Sequence, residues 1–403
     1  MGDAAQFDCG VIAGSVMTGF AIKGWCPSAY RPIQSGDGLV VRVRPRGGRL
    51  SAAQASCIAD LAERYGNGLI DLTGRANLQI RGVSAASHAP LLDVLAELGL
   101  IDADVEKEEQ RNIVVAPFWT EGDDTHSLAA ELEQALAANS LGLPAKFGFA
   151  VDCGRERALA RTPADIRIER GAEGGLIVRA DGSAIGRAVG RVDAVAIALS
   201  LAKWFVASSG ARDGRGRMAA HIANGIVLPD AVAGHAEPAS SIPRPGPGLR
   251  TDGTLVALAF GQLHSATLKF ISQLAPALRI TPWRMILIEE LAEMPRHNGL
   301  VTRADDPILR VVACTGAPAC RQAHAETRVL GAVLAPFIAA DARLHVSGCA
   351  KGCAHRGTSS ITLVGASDGF DLIRDGCTRD VPVMRGINPA TMRANPAALL
   401  GAD

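Results

Sequence analysis

Four of the nine cysteines lie in one stretch, Cys314 to Cys353, spaced C-x5-C, then 28 residues, then C-x3-C. Thiolates are soft ligands, and two pairs in one segment point to metal chemistry rather than packing. Structural zinc sites favour paired knuckles with roughly two to four residues between cysteines, and the first pair here is wider than that turn. An iron–sulfur cubane suits the pattern better, because it needs four thiolates at separated corners and glycine-rich loops that bring backbone N–H groups to its sulfides. Thr315-Gly316-Ala317-Pro318, Ser347-Gly348 and Gly352 supply such loops. His324, His345 and His355 lie nearby and read as structural. Cys9, Cys26, Cys57, Cys153 and Cys377 read as small buried or incidental residues.

The basic residues are the second chemical signal, with 35 arginines against 6 lysines. A GC-rich coding bias accounts for such a ratio, and the many alanines and glycines support it. The chemical alternative is that guanidinium forks bind a polycarboxylate bidentately. Position along the chain has to decide.

The chain has 403 residues, 48% of them apolar and 20% charged, with a formal net charge of zero. That length implies about two to four folded units, and the charge balance gives no bulk attraction to nucleic acid or an acidic membrane. The stretch AVAIALSLAKWFVA (194–207) is too short for a membrane span, contains Lys203 and reads as an amphipathic core helix. The first residues, MGDAAQFDCGVIAGSVMTGF, lack the basic start and continuous apolar run of a secretory signal. The expectation is a cytoplasmic protein with reduced thiols, for which Met17 is an alternative start.

Residues 36–83 read as strand, turn, helix, strand, strand. Leu39, Val41 and Val43 alternate with Val40, Arg42 and Arg44, which places the two arginines on one face of a strand. Ser51 with Gln54 forms a capping-box signature; Ile58, Leu61, Ala62 and Tyr65 form the helical stripe; Gly66 and Gly68 mark its stop. Asn77, Gln79 and Arg81 alternate with Leu78 and Ile80 in another strand with a polar face. Residues 250–291 repeat this order about 210 positions later: Asp252-Gly253 matches Asp37-Gly38, Leu263-His264 matches Leu50-Ser51, and RITPWR matches DLTGR. Between the copies, 236–251 is rich in proline and glycine and reads as a linker. In 143–152, Phe147, Phe149 and Val151 alternate with Lys146, Gly148 and Ala150, and 359–376 reads as a hairpin closed at Ser367-Asp368-Gly369. GRGRMA (214–219) follows a helix and loop rather than a strand, so it does not make a dinucleotide site.

C-x5-C followed by C-x3-C, set in a tandem duplication, resembles the siroheme sulfite and nitrite reductases from about residue 24 onward. The resemblance implies an α+β, tandem-duplicated sulfite/nitrite reductase-like fold with two ferredoxin-like half-domains and two mixed α/β domains. Its divisions would be 24–90 and 251–299 for the half-domains, 105–235 and 300–403 for the α/β domains, and 236–250 for the linker. It implies one [4Fe–4S] cluster on Cys314, Cys320, Cys349 and Cys353. It also implies a tetrapyrrole-lining set of Arg44, Arg75, Gln79, Arg81, Arg111 and Lys146.

The reductases carry a second lysine two residues after the first; here that position is Gly148. Without it the site is poorly equipped to bind and protonate a small oxyanion. CPSAYRPIQSGDGLVVRVRPRGGRLSAAQ, RYGNGLIDLTGRANLQIRG and LPAKFGFAVD are most similar to the family's aerobic cobalamin-pathway branch. That branch implies a monooxygenase whose tetrapyrrole is substrate, dioxygen as co-substrate, a mononuclear non-haem iron, and electrons from an external NADH-linked reductase. The alternative is a siroheme-dependent sulfite or nitrite reductase.

Overall fold

The computed structural model of the chain describes residues 27–397, so Met17, Cys9 and Cys26 lie outside the described residues. The chain forms two compact units. The larger is Leu39–Thr302 with the segment up to Ile33; the smaller starts at Arg303 and includes Gln34–Gly38.

The first copy of the repeat holds β1 (Ile33–Ser35), β2 (Gly38–Val43), β3 (Arg49–Ser51), α1 (Ala52–Tyr65), β4 (Leu69–Leu72) and β5 (Leu78–Val83), followed by α2 (Ala85–Glu97). The capping box at the start of α1 is present: Ser51 Oγ accepts from Gln54 N–H at 3.2 Å and Gln54 Oε1 from Ser51 N–H at 3.0 Å. Such a cap is worth about 1 kcal/mol. Ile58, Leu61 and Ala62 are buried and Tyr65 packs beside them. Gly66 caps the end, and Gly68 turns the chain with a φ of +76°, a conformation suited to glycine.

The first α/β segment holds α3 (Val105–Gln110), β6 (Ile113–Val115), α4 (Thr125–Ala138), β7 (Phe149–Asp152), β8 (Ile166–Arg170), β9 (Leu176–Ala180), β10 (Arg187–Val189), α5 (Ala194–Ala207) and α6 (Met218–Ala223). The second copy comprises β11 (Gly248–Arg250), β12 (Gly253–Ala257), β13 (Gln262–His264), α7 (Ser265–Ser272), β14 (Ala277–Ile280) and β15 (Met285–Glu289). The smaller unit adds β16 (Val311–Ala313), α8 (Arg328–Leu334), β17 (Leu344–Ser347), β18 (Ser359–Ala366), β19 (Gly369–Gly376), β20 (Met384–Ile387) and α9 (Pro389–Ala394).

The duplication extends to backbone detail. Thr73 Oγ1 accepts from the N–H groups of Arg75 and Asn77, and Thr281 Oγ1 accepts from those of Trp283 and Met285. The residues inside these two turns, Ala76 and Arg284, have φ of +55° and +63°. The copies also exchange strands: β13 pairs antiparallel with β4, and β3 pairs antiparallel with β14. One sheet therefore runs β1-β2-β5-β4-β13 and the other β11-β12-β15-β14-β3, with α1 against α7. Their shared core includes Leu50, Ile58, Ile70, Ile80, Leu263, Leu268, Ile271 and Ile288.

The two α/β sheets have the same plan, β10-β9-β8-β7-β6 and β16-β17-β18-β19-β20, in which the first three strands of each in chain order are parallel and the rest antiparallel. The hairpin at Ser367-Asp368-Gly369 is the β18–β19 turn. The helix expected at 194–207 is α5, which buries Ala198, Leu201, Ala202 and Phe205. Among the described residues no helix is long and apolar enough to cross a membrane.

Three readings change. β2 ends at Val43 and shifts register between Leu39 and Val41, so Arg44 lies beyond the strand and is buried, whereas Arg42 is half-buried. Lys146 sits in a turn closed by Phe147 N–H on Pro144 O at 2.8 Å, because β7 begins only at Phe149 and is buried on both faces. The proline-rich stretch is tied down by bridges of Gly186 to Ala236, Gly171 to Pro238 and Arg157 to Ser241, and its end already forms β11.

Candidate functional site

The four cysteines lie on loops beyond the carboxyl ends of β16 and β17, which pair as parallel strands. Cys314 directly follows β16, and its N–H donates to Val346 O at 3.3 Å. Gly348 N–H donates to Cys314 Sγ at 3.2 Å. Cys320 N–H donates to Gly316 O at 2.8 Å, and His324 N–H to Gly348 O at 2.8 Å, which joins the two loops. Hydroxyls staple the remaining carbonyls: Thr327 Oγ1 donates to Cys314 O, Ser347 Oγ to Cys349 O and Thr378 Oγ1 to Ala350 O. At Gly348 a Cβ would stand 2.6 Å from Ala323 Cβ, so the loops meet where only glycine fits.

Cys314, Cys320 and Cys349 are half-buried, and Cys353 is the most exposed of the four. Burial raises the Cys349 thiol above its ordinary range, and the neighbouring sulfurs of Cys314 and Cys320 raise it further. Packing around Cys353 Sγ and the three other thiols act on it in the same direction. Cys349 and Cys353, as free thiols, thus resist ionisation; a bound cation would reverse that. Among the described residues no three His, Cys, Asp or Glu side chains meet closely enough to chelate one ion. Four thiols that act on one another without converging on one point suit a cubane, whose ligands sit on separate corners. A mononuclear iron with nitrogen and oxygen ligands finds no such set among the described residues.

In the larger unit the expected tetrapyrrole-lining arginines divide into two groups. Arg44 and Arg111 are 5% and 6% exposed and share the fully buried Glu108. Arg44 Nη1 donates to Glu108 Oε1 at 2.8 Å and Arg111 Nη2 to Glu108 Oε2 at 2.8 Å. Arg111 also donates to Asp102 Oδ2 at 2.8 Å, Leu100 O at 3.0 Å and Arg44 O at 2.7 Å. Arg46 joins Asp102 at 2.7 Å and also pairs with Glu133. Arg111 does line a cavity of about 340 Å³, with Arg46, Asp102, Lys107, His126 and Glu133, but all three of its nitrogens are engaged. Both arginines are thus already committed to the Glu108 carboxylate.

Arg81 is buried against Asp71 at 2.9 Å, whose other oxygen accepts from Gln262 Nε2 at 3.0 Å. Gln79 stands on the same polar face of β5, opposite Arg42 on β2 and Asp71 on β4. Arg75 and Lys146 are both half-buried and adjacent, with Arg75 Nη2 donating to Lys146 O at 2.8 Å. Gly148 is tightly packed: a Cβ there would lie 2.9 Å from Asn112 Nδ2 and 3.0 Å from its carbonyl oxygen, so a side chain would have to displace Asn112. Its N–H donates to Asp165 Oδ2 at 2.9 Å.

Sequence reasoning missed Glu108, Asp102 and the hydroxyl staples Thr327 and Thr378. For Glu108 a signal existed, since the Glu108–Arg111 spacing of three is that of a helical ion pair.

Residues 31–98 match the model of the nitrite/sulfite reductase ferredoxin-like half domain. A precorrin-3B synthase from Sinorhizobium sp is 31% identical, with 89% of this chain and 84% of that protein covered. The chain belongs to the precorrin-3B synthase family. Its relation to the reductases is partial: a ferredoxin–nitrite reductase from Synechococcus elongatus is 32% identical, but over 34% of this chain and 28% of that enzyme. In fold, this member of the synthase family is similar to the Mycobacterium tuberculosis NirA protein, with a TM-score of 0.59 over 89% of this chain and 79% of that one at 16% identity. The α+β tandem fold of the synthase family is therefore that of the nitrite and sulfite reductases.

Proposed function

We propose that this enzyme hydroxylates precorrin-3A at carbon 20 with dioxygen, a ring-A acetate closing a γ-lactone, as a cytoplasmic step of cobalamin biosynthesis. The observation that carries this reading is coverage: similarity runs through 84% of a precorrin-3B synthase but only 28% of a nitrite reductase. The close packing of Gly148 against Asn112 supports it, because a second lysine for an oxyanion would require Asn112 to shift.

Cys314, Cys320, Cys349 and Cys353 would hold a [4Fe–4S] cluster, which supplies single electrons when bound. The reaction consumes one dioxygen, two electrons and two protons; one oxygen atom enters the product and the other leaves as water. An external, NADH-linked reductase protein is the proposed electron source. Arg75, Lys146 and Gln79 would bind carboxylates and polar groups of the macrocycle, fixing which meso carbon is presented. Arg81, Arg44 and Arg111 would shape that wall through Asp71 and Glu108. No ligand set for a second iron converges among the described residues.

The test is anaerobic purification, reconstitution with iron and sulfide, and turnover of precorrin-3A with reductant and isotopically labelled dioxygen. One labelled oxygen atom should appear in the product hydroxyl, with unlabelled lactone oxygens. Tightly bound siroheme with reductant-driven sulfite or nitrite turnover, and no label incorporated, would replace this reading with the reductase.

A further inference from the structure

The hairpin between β1 and β2 is read from sequence as part of the first half, yet its tip, Gln34–Gly38, folds with the cysteine-bearing unit. There it meets the peptide just before Cys320. Ser35 Oγ and Gly36 N–H both donate to the carbonyl oxygen of Ala319, the latter at 2.9 Å. A Cβ on Gly36 would overlap the carbonyl oxygen of Pro318 and stand 3.0 Å from Ala319 C. Gly36 does not have a positive φ, so the backbone does not demand glycine for its conformation. The requirement is close approach alone.

From this we infer that Ser35 and Gly36 are positioning residues for Cys320, a clamp that sets where the C-x5-C loop presents its second thiol. The inner side of that loop is held by bonds already described, Cys320 N–H to Gly316 O and His324 N–H to Gly348 O. The hairpin tip fixes the Ala319 peptide from another segment. Two donors converging on one carbonyl restrict the rotation of the Ala319–Cys320 peptide, and so the direction in which Cys320 Cβ points. A methyl at Gly36 would push Pro318 and Ala319 away by steric overlap with backbone, which cannot yield as a flexible side chain can.

The inference rests on the reading of the four cysteines as cluster ligands, and its test separates the two. Gly36→Ala and Ser35→Ala are compared with wild type and Cys320→Ser after anaerobic reconstitution. Iron and sulfide per chain, the electron paramagnetic resonance signature of the reduced protein, and amide exchange over residues 316–323 are measured. Gly36→Ala is expected to exchange about tenfold faster across this loop, as for local opening, to lose most of its cluster, and to show a changed signature in what remains. Ser35→Ala, which adds no bulk, should keep its cluster but release it several-fold faster to a chelator. Exchange and signature matching wild type in both variants would overturn the clamp. Equal cluster content in wild type and Cys320→Ser would instead overturn the cysteine reading, while loop exchange would still judge the clamp.

Discussion

Glu108 and Arg111 hold one another at 2.8 Å at the end of α3, with the carboxylate fully buried and Arg44 on its other oxygen. This triad ties the end of β2 to α3 and, through Asp102 and Glu133, to α4. Arg111→Ala would leave Glu108 to Arg44 alone and strip Arg44 O and Leu100 O of their donor, so it should cost about 1.5–3 kcal/mol of stability, the scale of hydrogen bonds to a charged group. Urea unfolding of the variant is the check. An unchanged midpoint would mean that the triad is not structural and would return Arg111 to the pool of ligand-binding cations.

Arg75 makes the opposite prediction. It is half-buried, bonded to the Lys146 carbonyl, and lies in a turn already held by Thr73. Arg75→Ala should therefore change stability by about 1 kcal/mol or less, yet weaken precorrin-3A binding by about 1.5–3 kcal/mol, the scale of a charge-assisted hydrogen bond. Anaerobic titration calorimetry reads the affinity. Arg75→Lys should recover only part of it, because the fork geometry is lost. Wild-type affinity in the alanine variant would remove Arg75 from the binding wall.

These two residues show how far the sequence was legible. The helix α1, its capping box, the repeat and the cysteine loops were readable because local rules govern them: caps, periodicity and spacing act within a few residues. The difference between Arg44 and Arg75 was not. Both sit in arginine-bearing strand–turn motifs, and what distinguishes them is a carboxylate 64 positions away in one case and a carbonyl 71 positions away in the other. Strand exchange between the copies escaped for the same reason, since β3 and β13 are three-residue strands whose partners lie in the other half. The Ala319 contact of Gly36 joins residues nearly 300 positions apart.

A pH prediction follows from Asp152 at the end of β7. Burial pushes its carboxyl up to about 6, against partial relief from the Leu159 N–H that it accepts at 2.7 Å. A carboxyl whose folded pKa is raised binds more protons folded than unfolded across the interval between its ordinary value and about 6. Stability from this group is thus present at the acid end and falls as pH rises through that interval. Asp152→Asn mimics the protonated form and should be the more stable protein at neutral pH by about 1–3 kcal/mol, with the advantage shrinking toward pH 4. Denaturant midpoints of both proteins across that range provide the measurement, and parallel pH profiles would refute it.

The last prediction concerns the thiols. Cys314, Cys320, Cys349 and Cys353 occupy two loops joined by the His324–Gly348 hydrogen bond, whereas Cys57 is on α1 in the other unit. A cubane held at four corners cannot keep its stability when one thiolate becomes a hydroxyl, because serine is a harder and far less acidic ligand than cysteine. Each single Cys→Ser change among the four should therefore lose most labile sulfide and the broad visible absorption after anaerobic reconstitution. Cys57→Ser should retain both. Because Cys349 is stapled through its carbonyl to Ser347 and not through its sulfur, Cys349→Ser should keep the fold of the loops, which far-UV circular dichroism and thermal unfolding can verify. A full cluster in Cys349→Ser, or its loss in Cys57→Ser, would show that the four-thiol assignment is wrong.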